Sequence, residues 1–216
     1  MAFTANDYIV DAADVYGDTA YERISTATWI KYLNAAIRAL ILVRPDAGAV
    51  TESITLSPGI RQAVASDVLR LLDITRNMGT DGATAGKIIT PTDRKHIDYS
   101  NLLWPAGTGD TAIDNFSYDK ENPLVYYVTP PVHATTVVQV EAVYSQLPTA
   151  VTATGDSTGT NQVFFEPIVM YMLYKAFVTD DEDVEFSKGM TFLQNFFNLL
   201  QVDMAAATAA GPETKE

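Results

Sequence analysis

The end of the chain constrains its fold most. From Gln162 to Asp203 the sequence reads as two amphipathic helices split by an acidic turn, Thr179-Asp180-Asp181-Glu182-Asp183. The first carries Phe165, Ile168, Val169, Met172, Leu173, Ala176 and Phe177 at the i, i+3, i+4, i+7 spacing of one helix face. The second carries Phe186, Met190, Leu193, Phe197 and Leu200, widened by Phe192, Phe196 and Leu199. Apolar faces this wide must be covered. The comparable stripe, Trp29, Ile30, Leu33, Ile37, Leu40 and Ile41, lies near the other end of the chain. The spacing therefore predicts an α+β protein: a helical bundle built from the N- and C-terminal helices, with a β-rich insertion between them.

The segments follow from that. Residues 1–48 hold the N-terminal helices, 49–147 the insertion, 148–161 a flexible loop, 162–204 the C-terminal hairpin and 205–216 a tail. Asn6 to Tyr16 has a helical pattern, with Gly17 suited to the left-handed position that ends it. Ser25 or Thr26 can cap the next helix, which Arg44-Pro45 closes. Val50–Leu56 and Ile60–Val64 alternate around Ser57-Pro58-Gly59, which predicts a β-hairpin. Ser66 or Asp67 to Leu72 has the pattern of a short helix, and Thr92 to Leu103 that of another. Asn115–Tyr118, Leu124–Val128 and Thr136–Tyr144 predict strands, the last with Val138, Val140, Ala142 and Tyr144 on one face. Thr149 to Gln162 is rich in Thr, Gly, Ser and Ala and has no period, as expected of a mobile loop.

Composition narrows the chemistry. The 216 residues include no cysteine, so disulfides and thiolate metal sites are excluded. The start has neither the basic nor the apolar region of a signal peptide, and no apolar run is long enough to predict a membrane span. Fourteen Lys+Arg against 27 Asp+Glu give a net charge of −13. The basic residues are scattered, with only Arg94-Lys95 adjacent, so phosphate-driven nucleic-acid binding is not expected.

No motif supports catalysis, a cofactor or a metal. Gly82-Ala83-Thr84-Ala85-Gly86-Lys87 has three residues between its glycines where a phosphate-binding loop has four, and Ile88 follows where that loop needs Ser or Thr. It reads as a hairpin tip. The cluster Asp180, Asp181, Glu182, Asp183, Glu185 lacks the alternation and central glycine of a calcium loop; carboxylates there suit the positive end of the following helix. His96 and His133 are the two histidines. Asp93, His96 and Asp98 are close in sequence but match no hydrolase pattern. Trp29 and Trp104 read as core, and Leu124-Val125-Tyr126-Tyr127-Val128 as a strand buried on both faces, unless an exposed tyrosine there marks an interface.

Several segments, in order, resemble a family of bacteriophage head-to-tail adaptor proteins, related in role to tail-tube A and gatekeeper-type ring proteins. They are Trp29–Ala36 running to Arg44-Pro45-Asp46-Ala47, Leu56–Gln62, Leu71–Met78, Pro123–Tyr127 with Pro130-Pro131, Val140–Tyr144, and Tyr171–Phe177 with its acidic turn and closing helix. The resemblance covers most of residues 25 to 200. It implies a structural virion protein without catalysis or cofactor, found in the neck between head and tail and in the host cytoplasm during assembly. It implies a homo-oligomeric ring, of twelve subunits, that joins the portal protein to a tail or nozzle protein and lines the DNA channel. An acidic lumen would let DNA pass without sticking.

The candidate subunit or partner contacts are Thr149, Thr152, Thr154, Asp156 and Thr158 in the loop and Ala205, Ala206 and Ala207 in the tail. Two other readings stay open. A monomeric binding module of a phage tail or fibre would show an exposed aromatic platform. A small enzyme with a scattered site would place His96 or His133 beside carboxylates in a cavity.

Overall fold

Hydrogen bonding at its two ends explains where the first helix, α1 (Ala5–Tyr16), begins and stops. The Asp7 carboxylate accepts the backbone N–H of Thr4 at 2.7 Å and its hydroxyl at 2.8 Å. At the far end Gly17 takes φ 86°, and its N–H reaches back to the Ala13 carbonyl at 2.9 Å. A side chain at that φ would be strained. The computed structural model describes residues 3–100, 107–119, 122–179 and 185–209. Trp104 and the acidic residues 180–183 lie outside them.

The chain divides into two compact units, Met1–Ala47 with Pro148–Glu216, and Gly48–Leu147. In the first, α2 (Thr26–Val43) starts on Ser25, whose hydroxyl accepts the Thr28 N–H at 3.3 Å. It packs with α1 on α4 (Phe165–Thr179), and α4 packs on α5 (Phe186–Ala209). Trp29, Leu33, Leu40, Ile168, Met172 and Leu173 are completely buried. An aromatic chain runs through this core: Tyr16 lies 4.9 Å from Phe177, which stacks on Phe192 at 5.4 Å. Gly189 lets α5 approach α4 closely, since a Cβ there would sit 2.6 Å from Val178 Cγ2.

The second unit is two antiparallel-dominated sheets with a shared core. Its strands are β1 (Ala49–Thr55), β2 (Gly59–Ala63), β3 (Val68–Met78), β4 (Ala85–Ile88), β5 (Thr90–Pro91), β6 (Asn115–Asp119), β7 (Asn122–Val132) and β8 (Gln139–Gln146), with α3 (Arg94–Ser100) between β5 and β6. The sheet orders are β1-β8-β3-β4 and β2-β7-β6-β5. Leu56, Leu71, Ile74, Phe116, Tyr126, Val128, Val140 and Ala142 fill the core. The α+β class predicted from periodicity is what the chain adopts, and Val138, Val140, Ala142 and Tyr144 all point inward.

Two local expectations fail. The hairpin predicted over Val50–Val64 does not form: β1 pairs with β8 and β2 with β7, in different sheets. Ser57-Pro58-Gly59 is a corner between sheets. The Gln62 side chain holds it, accepting the Ser57 N–H at 2.8 Å and donating to the Ser57 carbonyl at 2.7 Å. The short helix predicted from Ser66 or Asp67 to Leu72 is instead the start of β3. That strand buries Val68, Leu71, Ile74 and Asn77, a period of three. The register explains it. Leu71 faces Tyr144, Ile74 faces Ala142 and Asn77 faces Val140, with shifts at Val68/Arg70, Leu71/Asp73 and Ile74/Arg76. Each bulge places two residues opposite one, so three residues of β3 advance with every two of β8. Asn77 fills its inward place without penalty: Oδ1 accepts the Ile113 N–H at 2.7 Å and Nδ2 donates to the carbonyls of Ile113 and Lys87.

Candidate assembly surface

The loop expected to be mobile, 148–161, is hydrogen-bonded to the helices. A helix leaves its first N–H groups without internal partners. Here the loop supplies the acceptors: Ala5 N–H donates to the Asp156 carbonyl at 2.9 Å and Asn6 N–H to that of Thr154 at 2.8 Å. Thr4 and Ser157 pair as an isolated bridge. The Asp156 carboxylate folds the segment, accepting the Thr152 N–H at 2.8 Å, the Thr152 hydroxyl at 3.0 Å and the Ala153 N–H at 2.9 Å. These bonds hold its carboxyl below the usual range, the Thr152 backbone contact most. The period-free composition is that of a chain folded by side-chain-to-backbone bonds.

The candidate contacts therefore sit in different surroundings. Thr158 is buried, its hydroxyl 2.9 Å from that of Thr160. Thr154 and Asp156 are half-buried and bonded within the unit, while Thr149 and Thr152 are exposed. Ala205, Ala206 and Ala207 lie in α5, whose backbone stays helical through Ala209, five residues past the predicted end of the hairpin.

Of the stripe assigned to the core in α5, Leu200 is buried but Phe186, Met190 and Phe197 point elsewhere. Phe196 and Leu200 are buried with Gly189, and Phe192 packs on Phe177. Phe186, Met190 and Phe197 are 60%, 41% and 41% exposed. At about 100° per residue the two sets lie roughly a quarter turn apart. Met190, Leu193 and Phe197 line an open groove rimmed by Ser187, Thr191, Gln194, Asn198 and Gln201. No charged residue lies between Gly189 and Val202, in a chain of net charge −13. Lys188, just before, is engaged: it lies 3.4 Å from Glu185 and 4.3 Å over the Phe177 ring. The apolar signal was present in the sequence; its direction was not.

The residues considered for chemistry do not converge. Lys87 pairs with Asp114 at 2.6 Å, and Asp81 closes the Gly82 hairpin tip by accepting the N–H groups of Ala83 and Thr84. Asp93 caps α3, accepting the Lys95 N–H at 2.9 Å, and Arg94 lies 3.8 Å from Asp98. His133 Nδ1 faces the N–H groups of Thr135 and Thr136 at 3.2 Å. Neither histidine lines the α5 groove or the cavity of the β-rich unit. Tyr126 is buried and Tyr127 half-buried under the Arg94 guanidinium, 4.2 Å away. Among the described residues no group of three His, Asp or Glu could hold a metal, and no helix is long and apolar enough to cross a membrane.

The chain is thus a helical unit interrupted by a β-rich one, and among the described residues an uncharged, partly apolar face of α5 is exposed. The model of the SU10 adaptor protein family matches residues 3–214, and the chain belongs to that family of phage adaptor proteins. No curated protein sequence matches it.

Proposed function

We propose that this phage adaptor protein forms a homo-oligomeric ring, of twelve subunits, that joins the portal to a tail or nozzle protein in the virion neck and lines the DNA channel. The family match over nearly the whole chain carries the adaptor role. The uncovered stripe of α5 supports assembly, and its occupant is a second copy of this chain. Copies of charge −13 repel one another overall, and a face without charge adds nothing to that repulsion; this one presents Met190, Leu193 and Phe197 among Gln194, Asn198 and Gln201. The remaining acidity lies toward solvent and lumen, where it disfavours contact with DNA phosphates. Thr149 and Thr152 on the loop, and the helical turn at Ala205, Ala206 and Ala207, are proposed as contacts to the neighbouring subunit or portal.

Phage heads made without this protein test the reading. Adding the purified chain should let tails attach, and cryo-electron microscopy should show it as a ring under the portal. Tails that join heads equally well without it would overturn the reading.

A further inference from the structure

The β-rich unit contains a cavity that the adaptor role does not use. It has a volume of about 280 Å³ and opens beside the corner that links β1 to β2. Ile54, Val64 and Leu71 are among its apolar lining residues, and Glu52, Gln62, Tyr126 and Tyr144 among its polar ones. Tyr126 is 1% exposed, and its hydroxyl has no hydrogen-bond partner among the described residues. Burial alone raises its pKa. The Glu52 carboxylate lies close enough to the Tyr144 hydroxyl to help burial keep it protonated. That leaves Glu52 with lone pairs to accept another donor.

From this geometry we infer that the cavity is a receptor pocket for one side-chain-sized amphipathic group, an apolar body tipped with a hydroxyl or primary amide. Size sets the first limit. A cavity of ~150 Å³ takes benzene, and pockets for larger ligands begin near ~300 Å³, so this one suits a single substituted ring or side chain. Polarity sets the second. A hydroxyl or amide tip can accept from Tyr126 and donate to Glu52, whereas an anion would meet the Glu52 carboxylate. Water beside the Ile54, Val64 and Leu71 side chains finds no hydrogen-bond partner on them, so an apolar body displaces it there favourably. The group can come from a neighbouring protein's side chain or from a free small molecule. The inference rests on the β-rich unit alone, not on ring formation.

The probes are p-cresol and toluene, which differ by one hydroxyl, titrated into the full-length chain and followed by methyl NMR. p-Cresol should shift the Ile54, Val64 and Leu71 methyls and bind roughly fivefold more tightly than toluene, the worth of one neutral hydrogen bond. Tyr126→Phe should abolish most of that difference while leaving toluene binding unchanged. Failure of p-cresol to shift these methyls, or an equal effect of Tyr126→Phe on both probes, would overturn the pocket. Ala65→Trp, at an exposed lining position, separates the sources once wild-type binding is seen. If the folded variant no longer joins phage heads, the group is a neighbour's side chain. If it joins normally, the group is a free molecule.

Discussion

Asn34 holds Val151 from both sides of its amide: Nδ2 donates to the Val151 carbonyl at 2.9 Å, and Oδ1 accepts the Val151 N–H at 2.9 Å. The same Nδ2 donates to Ile30 O at 3.0 Å, so both its hydrogens are engaged. Val151 is buried, so water cannot replace the lost partners. Asn34→Ala should cost about 2–4 kcal/mol, because it strands a donor and an acceptor. Chemical unfolding measures the loss. Limited proteolysis should show new cuts between Thr149 and Asn161 that the wild type resists. Equal cutting in both would mean that Asn34 does not hold the loop.

The loop should also respond to acid. Asp156 is held below the usual carboxylate range by the N–H groups of Thr152 and Ala153. Its folded pKa is depressed, so its contribution is complete above the unfolded value and is lost as pH falls through the folded one. Hydrogen exchange at Thr152, Ala153, Ala5 and Asn6 should therefore accelerate below the ordinary aspartate range. In Asp156→Asn these amides should exchange faster already at neutral pH, and the acid dependence should flatten.

The helices were legible because a period of 3.6 cannot be produced by a strand of regular pleat. Ser25, Gly17 and Arg44-Pro45 mark their ends by local chemistry. β3 was not legible: its three bulges bury Val68, Leu71, Ile74 and Asn77 every third residue, which imitates a helix. The corner at Ser57-Pro58-Gly59 carries the composition of a hairpin, and only distant pairing with β7 and β8 shows otherwise. In α5 the sequence shows that Met190, Leu193 and Phe197 need cover, but not whether the cover belongs to the same chain. The capping role of 148–161 depends on Asn34 and α1, more than a hundred residues away, so nothing local announces it.

The bulged register of β3 makes a prediction that a regular strand would not. In a regular strand that buries Ile74, Leu72 would share its face and Leu71 would point away. Here Leu71 and Ile74 are both buried and Leu72 is only half-buried. Leu71→Ala and Ile74→Ala should each cost about 2–5 kcal/mol, and Leu72→Ala about 1 kcal/mol or less. Unfolding midpoints of the three variants rank them. A larger loss at Leu72 than at Leu71 would contradict the register.

Adjacent phenylalanines in α5 separate folding from assembly. Phe196 is fully buried and 5.2 Å from the Tyr171 ring, whereas Phe197 is 41% exposed on the second stripe. Phe196→Ala should cost about 3–5 kcal/mol by leaving a cavity between α4 and α5. Phe197→Glu should change subunit stability by about 1 kcal/mol or less, since the carboxylate stays in water. Between neighbouring copies the same carboxylate would be buried without a partner, which is strongly unfavourable. Phe197→Glu, alone or with Met190→Glu, should therefore give a folded subunit that does not form rings on phage heads, seen by light scattering and electron microscopy. Thermal unfolding identifies any variant that fails by misfolding instead. Normal rings from a folded Met190→Glu/Phe197→Glu chain would remove the α5 stripe as the contact between copies.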